Sequence, residues 1–228
     1  MTDLVVFDMI GTTVEASPRI PEAFREAYRV AGIELSDADI SSIRGKSKRA
    51  AIRELLERHG QPAECESPVY ETFKAFLLDC YRDGPVNPVA GAESTFRWCG
   101  DHDINVALTT GFDRTVADLL VSHLGWSDII DTLVCNDEVA QGRPAPDLII
   151  TAMRRLSHID VSRVASVGDT VSDLEAGANA GTGVNVGVLS GAHTRAQRLA
   201  APHTALINAV HSVMCNPYRT RMLSMRCR

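Results

Sequence analysis

The sequence predicts an α/β protein, a doubly wound parallel sheet with a helical cap inserted after its first strand. Three observations lead there. Short, largely apolar runs recur along the chain, as expected of strands buried on both faces. Amphipathic helical stretches alternate with these runs over the second half of the chain. The runs lead into polar residues or glycine, and open α/β sheets bind ligands at strand carboxyl ends.

In chain order, Leu4-Val5-Val6-Phe7 closing on Asp8 is the first strand. Residues 17–84 then show no strand pattern. Amphipathic helices are predicted over 21–30, 48–59 and 68–82, with Gly32, Gly45 and Gly60 as punctuation. A helical block placed straight after the first strand sits over that strand's carboxyl end. It reads as a cap, residues 17–85, on a core formed by residues 1–16 and 86–216. Strands follow at 104–108, 132–134, 164–167 and 184–188, and helices at 114–124, 146–156 and 172–180. Residues 217–228 are arginine-rich and aperiodic, and read as a flexible tail.

Composition narrows the function. With 228 residues and 45% apolar side chains the chain can bury a sizeable core. A net charge of −6 argues against a nucleic-acid surface, which needs clustered cations. No apolar stretch reaches the roughly 20 residues of a membrane helix. The six cysteines form no CxxC pair, and the first residues enter a strand-like run containing Asp8 rather than a signal peptide. Free thiols in a reducing cytoplasm are the expected setting. Lysine occurs only at positions 46, 48 and 74, so the pair Lys46 and Lys48 stands out.

Four segments at predicted strand or loop ends carry chemistry. They are Phe7-Asp8-Met9-Ile10-Gly11-Thr12-Thr13, Leu108-Thr109-Thr110-Gly111, Gly142-Arg143-Pro144 and Gly168-Asp169-Thr170-Val171-Ser172-Asp173. Singly, Asp8 could cap a turn and Asp169 or Asp173 a helix. Together, carboxylates at neighbouring strand ends suit a hard divalent cation. A threonine hydroxyl, loop amides and an arginine suit a phosphoryl group. One carboxylate is left as nucleophile.

With these motifs in this order, the chain resembles the haloacid dehalogenase superfamily over nearly its whole length. The resemblance implies a Rossmann-like core and Asp8 as a nucleophile that becomes an aspartyl-phosphate. It implies magnesium held by Asp8, the Ile10 carbonyl and Asp169, with Asp173 in support. It implies Thr109 and Arg143 on the phosphoryl group. Thr110 is the alternative if the register is off by one, and the amides of Thr110 and Gly111 assist in either case.

One departure is informative. Phosphatases of the superfamily carry a second aspartate two residues after the nucleophile, to protonate the leaving oxygen. Here that position is Ile10. Dehalogenases also lack it but need no metal, and the 168–173 run argues against them. The phosphonoacetaldehyde hydrolase branch is similar in combining an apolar residue there with GTTV, TTG, GRP and GDTVSD, read here at 11–14, 109–111, 142–144 and 168–173. In that branch a cap lysine forms an iminium with the substrate aldehyde, and its spacing points to Lys48. Lys46 is the fallback and a candidate substrate-binding residue. Such a lysine must be neutral to attack. Lys46, Arg44, Arg49 and a helix N-terminus are expected to lower its pKa. The branch also places a histidine shortly after the lysine, where this chain has Ala50-Ala51-Ile52, with His59 two turns on.

The expected function is therefore a magnesium-dependent hydrolase cleaving the carbon–phosphorus bond of a small 2-oxoalkylphosphonate. Rival readings are a phosphate monoesterase and a phosphate-binding module without turnover. The resemblance further suggests a homodimer joined through the caps.

Overall fold

A computed structural model describes residues 2–44, 46–158, 160–191 and 194–214. Six strands form one parallel sheet. They are β1 (Leu4–Asp8), β2 (Asn105–Thr109), β3 (Thr132–Val134), β4 (Val164–Gly168), β5 (Val184–Val188) and β6 (Ala205–Ile207). Their order is β3-β2-β1-β4-β5-β6, with every neighbouring pair parallel. The chain leaves β1 towards β2 on one side and returns to β4 on the other. That reversal opens a crevice at the β1 and β4 carboxyl ends, the ligand site of doubly wound sheets.

Every residue of β1, β4 and β5 is buried, which is why these strands read as largely apolar runs; of the polar exceptions inside them, Ser166 Oγ donates to Asn185 Oδ1 at 2.9 Å. Alternation still sorts their side chains. Val5 and Phe7 enter a large cluster with Val106, Leu108, Phe96 and Trp126. Leu4 and Val6 enter a smaller one with Leu148, Ile149, Ala152 and Ala176. Both faces of the sheet are thus covered.

The first four helices after β1 form a block: α1 (Arg19–Val30), α2 (Asp37–Ser42), α3 (Lys48–Arg58) and α4 (Glu66–Asp83). Their apolar faces pack on one another and continue the large cluster of the sheet. Ala23, Phe24, Ala27 and Tyr28 of α1 and Val69, Tyr70, Phe73 and Leu77 of α4 are buried at helical spacing. The Phe24 and Phe73 rings lie 4.5 Å apart, and Tyr28 Oη donates to the Ile52 carbonyl at 2.6 Å. The two crossings between this block and the sheet run side by side. Glu15 N–H donates to Asn87 O at 2.9 Å, and Val89 N–H to Thr13 O at 2.8 Å.

The sheet is flanked by α5 (Ala92–Gly100), α6 (Arg114–Leu124), α7 (Asp147–Arg155), α8 (Val171–Ala180) and α9 (Arg195–Leu199). The five strands and six helices expected from sequence are present within about two residues. Helices α2, α5 and α9 and strand β6 were not anticipated. α2 has six residues and is closed by a Ser36–Asp39 capping box, and β6 is a three-residue edge strand. Neither is long enough to establish a period. Residues 217–228, read as a tail, lie outside the described residues. Among the described residues, no helix is long and apolar enough to cross a membrane. Cys65, Cys80, Cys99 and Cys135 are free thiols.

Candidate active site

The register places Asp8 at the end of β1 directly beside Thr109 at the end of β2. Past Asp8 the chain folds into a tight turn. The Met9 carbonyl accepts from the amides of Thr12, Thr13 and Val14, and Thr13 Oγ1 donates to the Asp8 carbonyl at 2.9 Å. Gly11 closes the turn at φ 94°. A side chain there would meet Asp169 Oδ2 at 2.6 Å, so glycine is required both by conformation and by space.

Asp169 follows β4, and Asp173 sits in the first turn of α8. Thr170 caps α8, and its N–H and hydroxyl both donate to Asp173 Oδ2, at 2.9 and 2.6 Å. The capping box thus occupies one carboxylate oxygen and presents the other, Oδ1, to Arg143 at 2.9 Å. Asp8, Asp169 and Asp173 are all buried and can each offer an oxygen within 4.8 Å of the others. Three convergent carboxylate oxygens match the hard-cation preference of magnesium or calcium rather than that of a soft metal. Among the described residues nothing donates to the Ile10 carbonyl, which leaves that oxygen available too.

Arg143 bridges the cluster. Its Nη1 pairs with Asp8 Oδ1 and Asp173, and its Nη2 donates to Thr109 Oγ1 at 2.5 Å and Thr109 O at 3.1 Å. Burial opposes its charge, but Asp173 and Asp8 outweigh that and raise its pKa. Asp8 moves the other way. Burial raises it to about 6, with Arg143 opposing and Asp173 adding to the rise.

Lys48 is the first residue of α3, behind the N-cap Ser47. Its N–H donates to the Gly111 carbonyl at 3.5 Å. Ser47 is wedged between two glycines. A Cβ on Gly111 would lie 3.5 Å from Ser47 Cα, and one on Gly142 would lie 3.2 Å from Ser47 Cβ. This packing brings a residue 40 positions beyond Asp8 to the strand ends. Lys74 pairs with Glu71 and Lys46 with Glu54. Among the described residues Lys48 has no such ion pair, and its ammonium lies 5.2 Å from the Phe112 ring centre. Burial lowers its pKa. Asp8 opposes the shift and Arg143 reinforces it.

These residues line a cavity of about 490 Å³ that includes Asp8, Ile10, Lys46, Lys48, Thr110, Gly111, Arg143, Asp169 and Asp173. Several expectations change in detail. Thr109 is not on the wall; its hydroxyl is engaged by Arg143 and by the Phe7 carbonyl, whereas Thr110 reaches the cavity. The Thr110 amide is spent on the Val134 carbonyl, leaving the Gly111 amide the freer donor. Lys46 lines the cavity but is held by Glu54. Lys48 is depressed by burial and Arg143, not by its sequence neighbours; Arg49 turns away to Glu66 and the Tyr70 ring. Ala51 is fully buried, and His59 faces Asp39, so neither supplies an imidazole to the cavity.

Sequence reasoning missed Arg198. It is 1% exposed, and its Nε donates to the Asp169 carbonyl at 2.6 Å from behind the acidic cluster. Gly191 was missed as well. A Cβ there would stand 1.8 Å from Asp169 Oδ2. Neither residue carries a motif; each is found only by its neighbours in space.

Fold and site define a hydrolase. Residues 2–181 match the family model described as haloacid dehalogenase-like hydrolase, and the chain belongs to that family. Its curated relatives include the phosphonoacetaldehyde hydrolase of Lactiplantibacillus plantarum, 28% identical over 206 residues, covering 83% of this chain and 76% of that one. The enzyme of the same name from Latilactobacillus sakei is 29% identical with 83% and 77% coverage. Among solved structures, a hydrolase from Pseudomonas syringae superposes with TM-score 0.83 at 19% identity, covering 93% and 96% of the two chains. A phosphonoacetaldehyde hydrolase-like protein from Oleispira antarctica gives TM-score 0.78 at 21% identity, covering 93% and 90%. At these identities the structures speak for the fold.

Proposed function

We propose that this protein is a magnesium-dependent phosphonatase that cleaves the carbon–phosphorus bond of a 2-oxoalkylphosphonate such as phosphonoacetaldehyde. One observation carries the reading. A part-buried lysine, Lys48, with no ion pair among the described residues shares a cavity with the Asp8 carboxylate, and the proton donor of a phosphate monoesterase is replaced by Ile10.

In this reading residues 17–85 act as a cap that delivers Lys48. The neutral amine of Lys48 adds to the substrate carbonyl and expels water, giving an iminium. Asp8 attacks phosphorus, and the carbon–phosphorus electron pair moves into the iminium to give an enamine. An alkoxide leaving group would need an acid; a carbanion needs this electron sink, which explains an apolar residue at position 10. Protonation and hydrolysis of the enamine free Lys48, and water cleaves the aspartyl-phosphate. Thr110, the Gly111 amide and Arg143 hold the phosphoryl oxygens, while Thr109 fixes Arg143. Asp8, Asp169, the Ile10 carbonyl and Asp173 would hold magnesium, whose charge lets an anionic substrate approach a carboxylate. The partner is a small molecule, and a homodimer through the cap belongs to the same reading.

A phosphate-release screen of 2-oxoalkylphosphonates against alkyl phosphates, with and without magnesium, tests the assignment. Faster release from alkyl phosphates than from any phosphonate would end it.

A further inference from the structure

The cavity wall is polar at the strand ends and at Arg44, Lys46, Ser47 and Lys48, and apolar elsewhere over much of its extent. The apolar part is formed largely by Ile10, Ile20, Pro21, Phe24, Ile40 and Ile43. Four of these six belong to α1 and α2, and Ile43 terminates α2. The two lysines of the wall are Lys46, held by Glu54, and Lys48. About 490 Å³ lies in the range of pockets that enclose drug-sized ligands, roughly 300–1,000 Å³. Phosphonoacetaldehyde is far smaller than such ligands. Its phosphonate would engage the strand ends and its carbonyl Lys48, leaving the apolar wall against water. Water in a pocket with few polar partners is poorly held, and an apolar group displaces it favourably.

We propose that the preferred substrate is a 2-oxoalkylphosphonate whose carbonyl carries an alkyl or aryl group in place of the aldehyde hydrogen. This rests on the carbon–phosphorus reading above. The reaction balances as before. Lys48 Nζ adds to the ketone carbon and water leaves. The phosphoryl group passes to Asp8, and the carbon–phosphorus pair becomes the enamine. Proton uptake at carbon and hydrolysis release a methyl ketone and the free amine. Water then returns Asp8 and inorganic phosphate.

The test compares KM for 2-oxopropylphosphonate, 2-oxoheptylphosphonate and 3-phosphonopyruvate, all ketones, so carbonyl reactivity varies less than between aldehyde and ketone. Burying a methylene is worth about fourfold in binding, so KM should fall at least about tenfold from the propyl to the heptyl compound. Ile20→Asn, at a half-buried wall position outside the reacting groups, should raise KM for the heptyl compound and leave the propyl value within about twofold. Equal KM values for the two alkyl ketones would overturn the inference while sparing the carbon–phosphorus reading. A lower KM for 3-phosphonopyruvate than for either would also overturn it, and would make the exposed wall residue Arg44 a carboxylate receptor. Silence of all three ketones with turnover of hexyl phosphate would instead overturn the carbon–phosphorus reading, and this inference with it.

Discussion

The backbone N–H of Lys48 donates to the carbonyl of Gly111 at 3.5 Å, joining the first turn of α3 to the loop that follows β2. A residue from the helical block thereby stands beside a strand-end loop of the sheet. Ser47, packed against Gly111 and Gly142, holds the junction from the other side.

Borohydride added during turnover should inactivate the enzyme irreversibly, with the adduct on the peptide containing Lys48 by mass spectrometry. Lys48→Arg should lose about 10³-fold or more, because a guanidinium keeps its proton and cannot add to a carbonyl. An active variant without a trapped adduct would leave Asp8 chemistry standing and remove the iminium.

The pH profile follows from the direction of the Lys48 shift. Only the neutral amine attacks, and burial lowers its pKa. The limb of kcat/KM that belongs to Lys48 should therefore rise with pH and level off below the ordinary lysine value of about 10.4. A limb that climbs to that value or beyond would show an unperturbed amine.

Asp8→Asn should abolish phosphate release, by about 10⁴-fold or more, with an unchanged circular dichroism spectrum. Loss of helical signal would point to a structural role instead.

Magnesium should be required, and its apparent affinity should weaken below pH 6. The metal-free Asp8 carboxyl titrates at about 6, so protons compete with the cation there. Gly191→Ala should raise half-saturating magnesium by about tenfold or more, since a Cβ would press on Asp169 Oδ2. Activity unaffected by excess chelator would refute the metal site.

Ile10→Asp should raise turnover of an alkyl phosphate at least about tenfold, by restoring an acid for the leaving alkoxide. Hexyl phosphate is the informative substrate, because p-nitrophenyl phosphate needs little protonation.

The sequence by itself determined five of the six described strands, most of the helices and the four motif segments. Strands buried on both faces are largely apolar runs, and β1, β4 and β5 are buried along their length, so their carboxyl ends could be located by inspection. Asp8, Asp169 and Asp173 follow directly from those ends. Tertiary structure alone decided which neighbouring threonine faces the cavity. The ladder pairing Asp8 with Thr109 turns the Thr109 hydroxyl to Arg143 and leaves Thr110 on the wall. It also decided what lowers the Lys48 pKa. Of the cations beside it in sequence, Lys46 is paired with Glu54 and Arg49 with Glu66, while burial and Arg143, 95 positions away, act through space. Arg198 and Gly191 stayed hidden for the same reason. A guanidinium behind a carbonyl and a missing Cβ beside a carboxylate are relations of distance, and nothing local in the chain encodes them.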